Sequence, residues 1–237
     1  MEQIIQYVES LQDEGQDRLE LTPQASAAAS AAAAYLPGAA GPEQLAELAA
    51  QIAACKRCAL HAQRTKTVPG QGAWRPEVMF IGEGPGADED RQGIAFVGRA
   101  GQLLTRLITR MGYRREDVFI ANVVKCRPPE NRKPLPEEMA ACLPYLKAQI
   151  AVLEPRVIVT LGATALEGVV AGLGKVAISR LRGQWLAYEG IPLMPTFHPS
   201  YLLRNQAAMW DVWSDMQAVL KHLGRKPPPS KRAAGPA

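Results

Sequence analysis

Apolar positions along this chain gather into short continuous runs, separated by segments where they recur every three or four residues. Val78, Met79, Phe80 and Ile81 form one run, closed by Gly82. Residues 118–124 form a second, Val157–Leu161 a third closed by Gly162, and 191–197 a fourth. Unbroken runs of this length predict strands buried on both faces. Between them the period changes. Leu45, Leu48 and Ile52 predict a helix over 43–54, and Leu103, Leu104, Leu107, Ile108 and Met111 predict one that stops at Gly112. Pro136 opens another at its first position, where a missing N–H costs nothing, and this helix runs to about Leu153. A helix from Ala163 and a closing amphipathic helix over 207–220 complete the series. Alternating strands and helices predict a three-layer α/β/α fold on a central, mostly parallel four-stranded sheet.

The ends read differently. Ile4, Ile5, Val8 and Leu11 suggest a short amphipathic helix, followed by an Ala-rich stretch broken by Pro23, Pro37, Gly38, Gly41 and Pro42. Residues 1–42 are therefore expected to be a helix plus linker, 43–223 the folded domain, and 224–237 a basic, Pro-rich tail expected to be disordered. The functional option for such a tail is a weak, sequence-blind grip on phosphates. No apolar run approaches the roughly 20 residues of a membrane span. The N-terminus carries early acidic residues and lacks a signal peptide's apolar core, so a cytoplasmic protein with no membrane association is expected. The net charge of +4 only mildly favours a polyanionic partner.

Four cysteines narrow the chemistry further. They are spaced as Cys55-x2-Cys58 and, after a long gap, Cys126-x15-Cys142. Two disulfides would require an oxidising compartment. All-thiolate ligation suits zinc or an iron–sulfur cluster. A structural zinc site usually brings two tight knuckles, and the second pair is too widely spaced for one. The reading favoured here is a [4Fe–4S] cluster, with zinc and four unrelated buried cysteines as alternatives.

In an open α/β sheet, ligands bind beyond the carboxyl ends of the strands. Three of the predicted strands end in polar sequence: GEGPGADEDRQGIAFVG from Gly82, Asn122 just before Cys126, and HPSYLLRN from His198. The Gly-rich stretch lacks the Lys-Ser/Thr of a phosphate loop and the spacing of a dinucleotide fingerprint. Its glycines instead let backbone approach a flat ligand, on which Phe96 could stack; ordinary packing is the alternative for Phe96.

Together, GEGPGADED…FVGRAGQLL, NVVKCRPPENR and FHPSYLLRN, with the cysteine framework, closely resemble the motifs of the family 4 iron–sulfur uracil-DNA glycosylases of bacteria and archaea. The resemblance runs from about Cys55 to Leu220. It implies a monomeric, cytoplasmic DNA-repair enzyme that removes uracil from single- or double-stranded DNA and leaves an abasic site. It also implies that Phe96 stacks on the uracil ring, that backbone N–H groups around Glu83 and Gly84 help hold it, and that His198 bonds uracil O2. Asn122 can donate to O4 and accept from N3–H, the pattern that cytosine inverts; a strand-end cap is its plainer reading.

One departure concerns water. The best-known uracil-DNA glycosylases carry an aspartate where this chain has Gly84. Glu83 is the expected replacement, to orient water or steady the cationic sugar, with Asp88, Glu89 and Asp90 as alternatives. Arg99, Lys125, Arg127, Arg132 and Ser200 are candidate phosphate contacts, and Tyr201 and Arg204 are candidate DNA contacts beside the base pocket. Leu202 or Leu203 is the candidate wedge for the gap left by a flipped base, or else a core residue. A broader deaminated-base glycosylase, a non-catalytic iron–sulfur DNA-binding module and an electron carrier are the rival functions.

Overall fold

The computed structural model describes residues 41–170, 173, 174 and 176–226. The helix and linker expected before residue 41, and the tail from 227, lie outside the described residues. In chain order the elements are α1 (Pro42–Ala54), β1 (Gln71–Gly72), β2 (Val78–Gly82), α2 (Ala87–Gln92), α3 (Arg99–Arg110), β3 (Phe119–Asn122), α4 (Pro136–Leu153), β4 (Val157–Leu161), α5 (Ala163–Val169), α6 (Ile178–Leu181), β5 (Leu186–Tyr188), β6 (Ile191–Thr196), α7 (Pro199–Leu202) and α8 (Met209–His222). No helix among the described residues is long and apolar enough to cross a membrane.

The sheet has six strands in the order β1-β3-β2-β4-β6-β5. The four expected strands form its parallel centre, and every residue of β2, β3 and β4 is buried. Two short antiparallel edge strands, β1 and β5, are added to the expected four. β5 folds back on β6 through a tight turn at Glu189 and Gly190, both with positive φ, 49° and 80°. β1 is two residues long and contains Gly72, too little for any periodic pattern.

Alternate strand residues feed two separate cores. Phe80, Ile120, Val159 and Met194 point to the layer of α3 and α8, where Leu104, Ile108, Met216 and Val219 meet them. Met79, Ile81, Phe119 and Ile158 point the other way, onto Leu48 and Ile52 of α1 and Leu146, Ile150 and Leu153 of α4. A sheet covered on both faces is the three-layer arrangement.

The strand order also places the ligand crevice. The chain goes from β2 outward to β3, then returns across β2 to β4. The connections leaving β2 and β4 therefore diverge, opening a gap at their carboxyl ends.

Candidate functional site

A cleft of about 600 Å³ fills that gap, lined by Glu83, Gly84 and Pro85 after β2, Gly162 after β4, and His198 and Arg204 after β6. The first loop stays close to β3, since Val123 and Val124 donate their N–H groups to the carbonyls of Gly82 (2.9 Å) and Glu83 (3.1 Å). Glycine is required at both positions. A Cβ on Gly84 would stand 2.7 Å from Val124 Cγ2, and one on Gly82 would stand 2.5 Å from both Asn122 Oδ1 and Phe96 Cζ.

Gly82, Phe96 and Asn122 thus crowd around one point. Asn122 is 1% exposed, and its Oδ1 has no hydrogen-bond partner among the described residues. Buried amide oxygens are seldom left so, because the lost water bond costs about 1–3 kcal/mol. Phe96 is buried too and has φ of 51°, an uncommon conformation for an aromatic residue. Several contacts hold it there. Glu89 accepts N–H groups of Val97 (2.8 Å) and Gly98 (2.9 Å), Gln71 accepts that of Ala95 (3.1 Å), and Arg115 donates to the Ala95 carbonyl. Gly101 on α3 lies so close that a Cβ there would fall 2.0 Å from the Phe96 carbonyl.

The Phe96 ring stands 5.7 Å from that of His198, tilted by 36°. His198 caps α7. Its Nδ1 accepts the Ser200 N–H at 3.1 Å and lies 2.8 Å from Ser200 Oγ. A peptide N–H can only donate, so Nδ1 carries no proton and Nε2 does. Burial, aided by the Arg204 charge, pushes the His198 pKa down to about 4. His198 is therefore a neutral imidazole with an N–H donor.

Of the acidic residues weighed for water, Glu83 alone lines the cleft, and its carboxylate has no partner among the described residues. The others are engaged in the scaffold. Asp88 pairs with Arg91, Glu89 holds the Phe96 loop as above, and Asp90 accepts the N–H of Thr65 at 2.9 Å.

The candidate DNA contacts separate by exposure. Arg99, Tyr201, Leu203 and Arg204 are exposed, Ser200 is partly exposed, and Arg204, Ser200, Tyr201 and Arg132 line the cleft. Arg127 bonds Asn131 Oδ1 at 2.8 Å, and Arg132 grips Glu138 through two bonds of 2.8 and 2.6 Å. For Leu202 the core alternative holds, and one expectation, that for Lys125, needs correction. Leu202 is 2% exposed and belongs to the core beside α3 and α8, which leaves Leu203 as the wedge candidate. Lys125 is 1% exposed, enclosed by the second core layer, and cannot reach a phosphate.

All four cysteines line a single small cavity, and none forms a disulfide. Cys55 and Cys58 follow α1, Cys126 follows β3, and Cys142 sits on α4. Two donors address the sulfurs: Arg64 Nη1 at 3.2 Å from Cys126 Sγ, and the Lys125 peptide N–H at 3.2 Å from Cys142 Sγ. Arg64 also bonds the carbonyls of Ala53 and Cys55, both at 2.9 Å. Nothing in the sequence marked Arg64, an isolated residue beyond the second cysteine. Burial raises the thiol pKa of Cys58 and Cys126, and that of Cys142 to about 11. Among the described residues no three His, Cys, Asp or Glu side chains close on one point as they would around a single ion.

Comparison with known proteins agrees with this geometry. Residues 69–217 match the model of the uracil DNA glycosylase superfamily. A type-4 uracil-DNA glycosylase of Thermotoga maritima is 53% identical over 169 residues, covering 70% of this chain and 86% of the relative. Type-4 enzymes of Pyrobaculum aerophilum (45% identical, covering 68% of this chain and 86% of the relative) and Archaeoglobus fulgidus (39%, covering 78% and 96%) are similar too. With motifs, topology and cleft in agreement, the chain belongs to the uracil DNA glycosylase superfamily, within its type-4 family.

Proposed function

We propose that this protein hydrolyses the N-glycosidic bond of uracil in DNA, releasing free uracil and leaving an abasic site for repair. The observation that carries the reading is the unpartnered Asn122 Oδ1, crowded with Phe96 around Gly82, where the Phe96 ring in turn faces His198. A base that can fill this site must offer a donor to that oxygen, and uracil offers N3–H. The Asn122 amide N–H then meets O4. Cytosine presents a bare N3 and an amine to the same groups, so two favourable bonds become two repulsive contacts. Phe96, fixed by its clamped loop, stacks on the extruded ring, and the Gly84 N–H, which has no acceptor among the described residues, is free to bond it.

Cleavage breaks the bond between C1′ and N1, and its electron pair leaves with uracil. The Nε2–H of His198 meets uracil O2, where that charge is shared. A neutral, pre-aimed donor in a partly dry site favours the departing anion as an oxyanion hole does. Water attacks C1′ from the opposite side, and its proton passes to Glu83, which also steadies the oxocarbenium-like sugar.

The cysteine centre fits a [4Fe–4S] cluster held by Cys55, Cys58, Cys126 and Cys142. Four free cysteines around one cavity, two of them buried and two half-buried, with cationic and peptide donors aimed at two of the sulfurs, suit a site where iron is held by thiolates. When bound, the cluster would cross-link α1, α4 and the segment after β3. It supplies no chemistry to the hydrolysis. Arg99, Tyr201, Leu203 and Arg204 form the DNA-facing rim. Residues 43–223 make up the glycosylase domain of a monomer in a bacterial or archaeal cytoplasm, with 1–42 and 224–237 as appendages.

The test uses anaerobically purified protein and single-stranded or duplex oligonucleotides carrying uracil, hypoxanthine or no lesion. Alkali-labile sites should appear only with uracil. Cleavage at hypoxanthine to the same extent would replace this reading with a broader deaminated-base glycosylase.

A further inference from the structure

Lys125 is buried between the two centres, and neither the base pocket nor the ligand set accounts for it. Its ammonium donates to the main-chain carbonyl of Asn122 at 2.8 Å and to Gln149 Oε1 at 2.6 Å. Its peptide N–H donates to Cys142 Sγ at 3.2 Å, and its carbonyl accepts the Val68 N–H at 2.8 Å. Gln149, on α4, is anchored in turn through Nε2 to the Pro69 carbonyl at 2.7 Å. One residue therefore touches a cysteine with its main chain and the proposed base-reading residue with its side chain.

The sheet explains why a side chain is needed there. β3 is bordered by β2 on one side and β1 on the other, but β1 pairs only with Phe119 and Ile120. It ends before Asn122, so no strand N–H stands opposite the Asn122 carbonyl on that edge. The Lys125 ammonium supplies the missing donor. A neutral residue could do this more cheaply, since a buried ammonium needs opposing charge as well as acceptors. Both its acceptors are neutral. Among the described residues, the ionisable acid whose field acts on the ammonium is Cys142, and a thiolate-held iron–sulfur cluster is itself net negative.

We propose that Lys125 is a positioning residue that couples the cysteine centre to the base pocket, holding the Asn122 peptide in place while serving as a buried counter-charge to the cluster. This rests on the uracil-excision and cluster readings above. It predicts that the two centres respond together to changes at one residue that contacts no DNA.

The experiment compares wild-type holoprotein with Lys125→Met and Gln149→Leu. Each is assayed for the cluster's midpoint potential, single-turnover uracil excision at saturating enzyme, and affinity for uracil-containing DNA. Lys125→Met should lower the midpoint potential, because loss of a nearby cation disfavours an added electron. It should also slow excision by about tenfold or more, with affinity changed by less than about threefold. Gln149→Leu keeps the charge but frees the ammonium from α4, so it should slow excision several-fold with little change in potential. A simple packing defect would not shift potential and excision together in the first variant and separate them in the second. A wild-type potential in Lys125→Met, or unimpaired excision, overturns the proposal. If Lys125→Met yields no folded holoprotein, Gln149→Leu decides, and wild-type excision in it overturns the coupling. Should the wild-type protein itself hold no iron or release no uracil, the failure lies in the functional reading rather than in Lys125.

Discussion

Ser200 donates its peptide N–H to Nδ1 of His198 at 3.1 Å, and that contact determines which nitrogen of the imidazole faces the cleft with a proton. A histidine so held cannot act as a base through Nδ1. It can offer only the Nε2–H, and burial keeps it neutral across the physiological range. The proposed mechanism depends on this neutral donor.

The first prediction is a pH profile. With the His198 pKa pushed down to about 4, below the usual value near 6.5, excision should not change through a histidine titration between pH 6 and 8. The sign for stability follows from the same shift. The unfolded chain binds the proton more readily, so the His198 contribution is present above about pH 6.5 and fades as pH falls toward 4. Rate measurements from pH 4 to 8 check this; a single inflection near 6.5 from His198 protonation would contradict it.

Gly82→Ala probes the crowding around the base. Its Cβ would stand 2.5 Å from both Asn122 Oδ1 and Phe96 Cζ, and both residues are buried. Overpacking of this kind costs about 1–3 kcal/mol in stability. Excision should fall by more than about 10²-fold because both base contacts move. Denaturant melts and single-turnover assays separate the two effects.

Asn122→Ala should reduce excision by about 10²-fold or more, since it removes both base-edge bonds. Asn122→Asp should be similarly slow on uracil and should release some cytosine, because a protonated carboxyl complements the cytosine edge. Released bases can be identified by chromatography. Near-native activity in Asn122→Ala would end the base-reading role.

Cys142→Ser should abolish the broad absorbance near 400 nm expected of a thiolate-bound cluster, and lower the thermal midpoint. Iron analysis of the wild-type protein should give about four irons per chain. Stoichiometric zinc without iron would contradict the cluster assignment.

Much of this architecture was legible before any coordinates. The parallel strands are buried on both faces, so their runs are continuous and end on Gly82 and Gly162, and α4 begins at Pro136 as its sequence requires. What escaped depends on tertiary context. α2 occupies ADEDRQ, an acidic stretch with no apolar stripe, in which Glu89 and Asp90 face scaffold N–H groups while Asp88 pairs with Arg91 at the surface. Lys125 sits in a basic motif beside a cysteine, which reads as a phosphate contact. Its burial follows from the turn after β3 that folds it back beneath Asn122. Leu202 and Leu203 are alike in sequence, and only the short α7 decides that the first faces the core and the second the outside. Glu83, Asn122 and His198 were legible as candidates because they stand at or just after the carboxyl ends of three different strands.

The most direct test of the central claim is the release of free uracil from a uracil-containing oligonucleotide in single turnover, comparing wild type with His198→Ala and Glu83→Gln, with DNA affinity measured alongside. Wild-type protein should release uracil. His198→Ala should be slower by about 10²–10³-fold, and Glu83→Gln by about 10–10³-fold, with affinity little changed in either. No uracil released by the wild-type protein, or an unimpaired His198→Ala, would contradict the account.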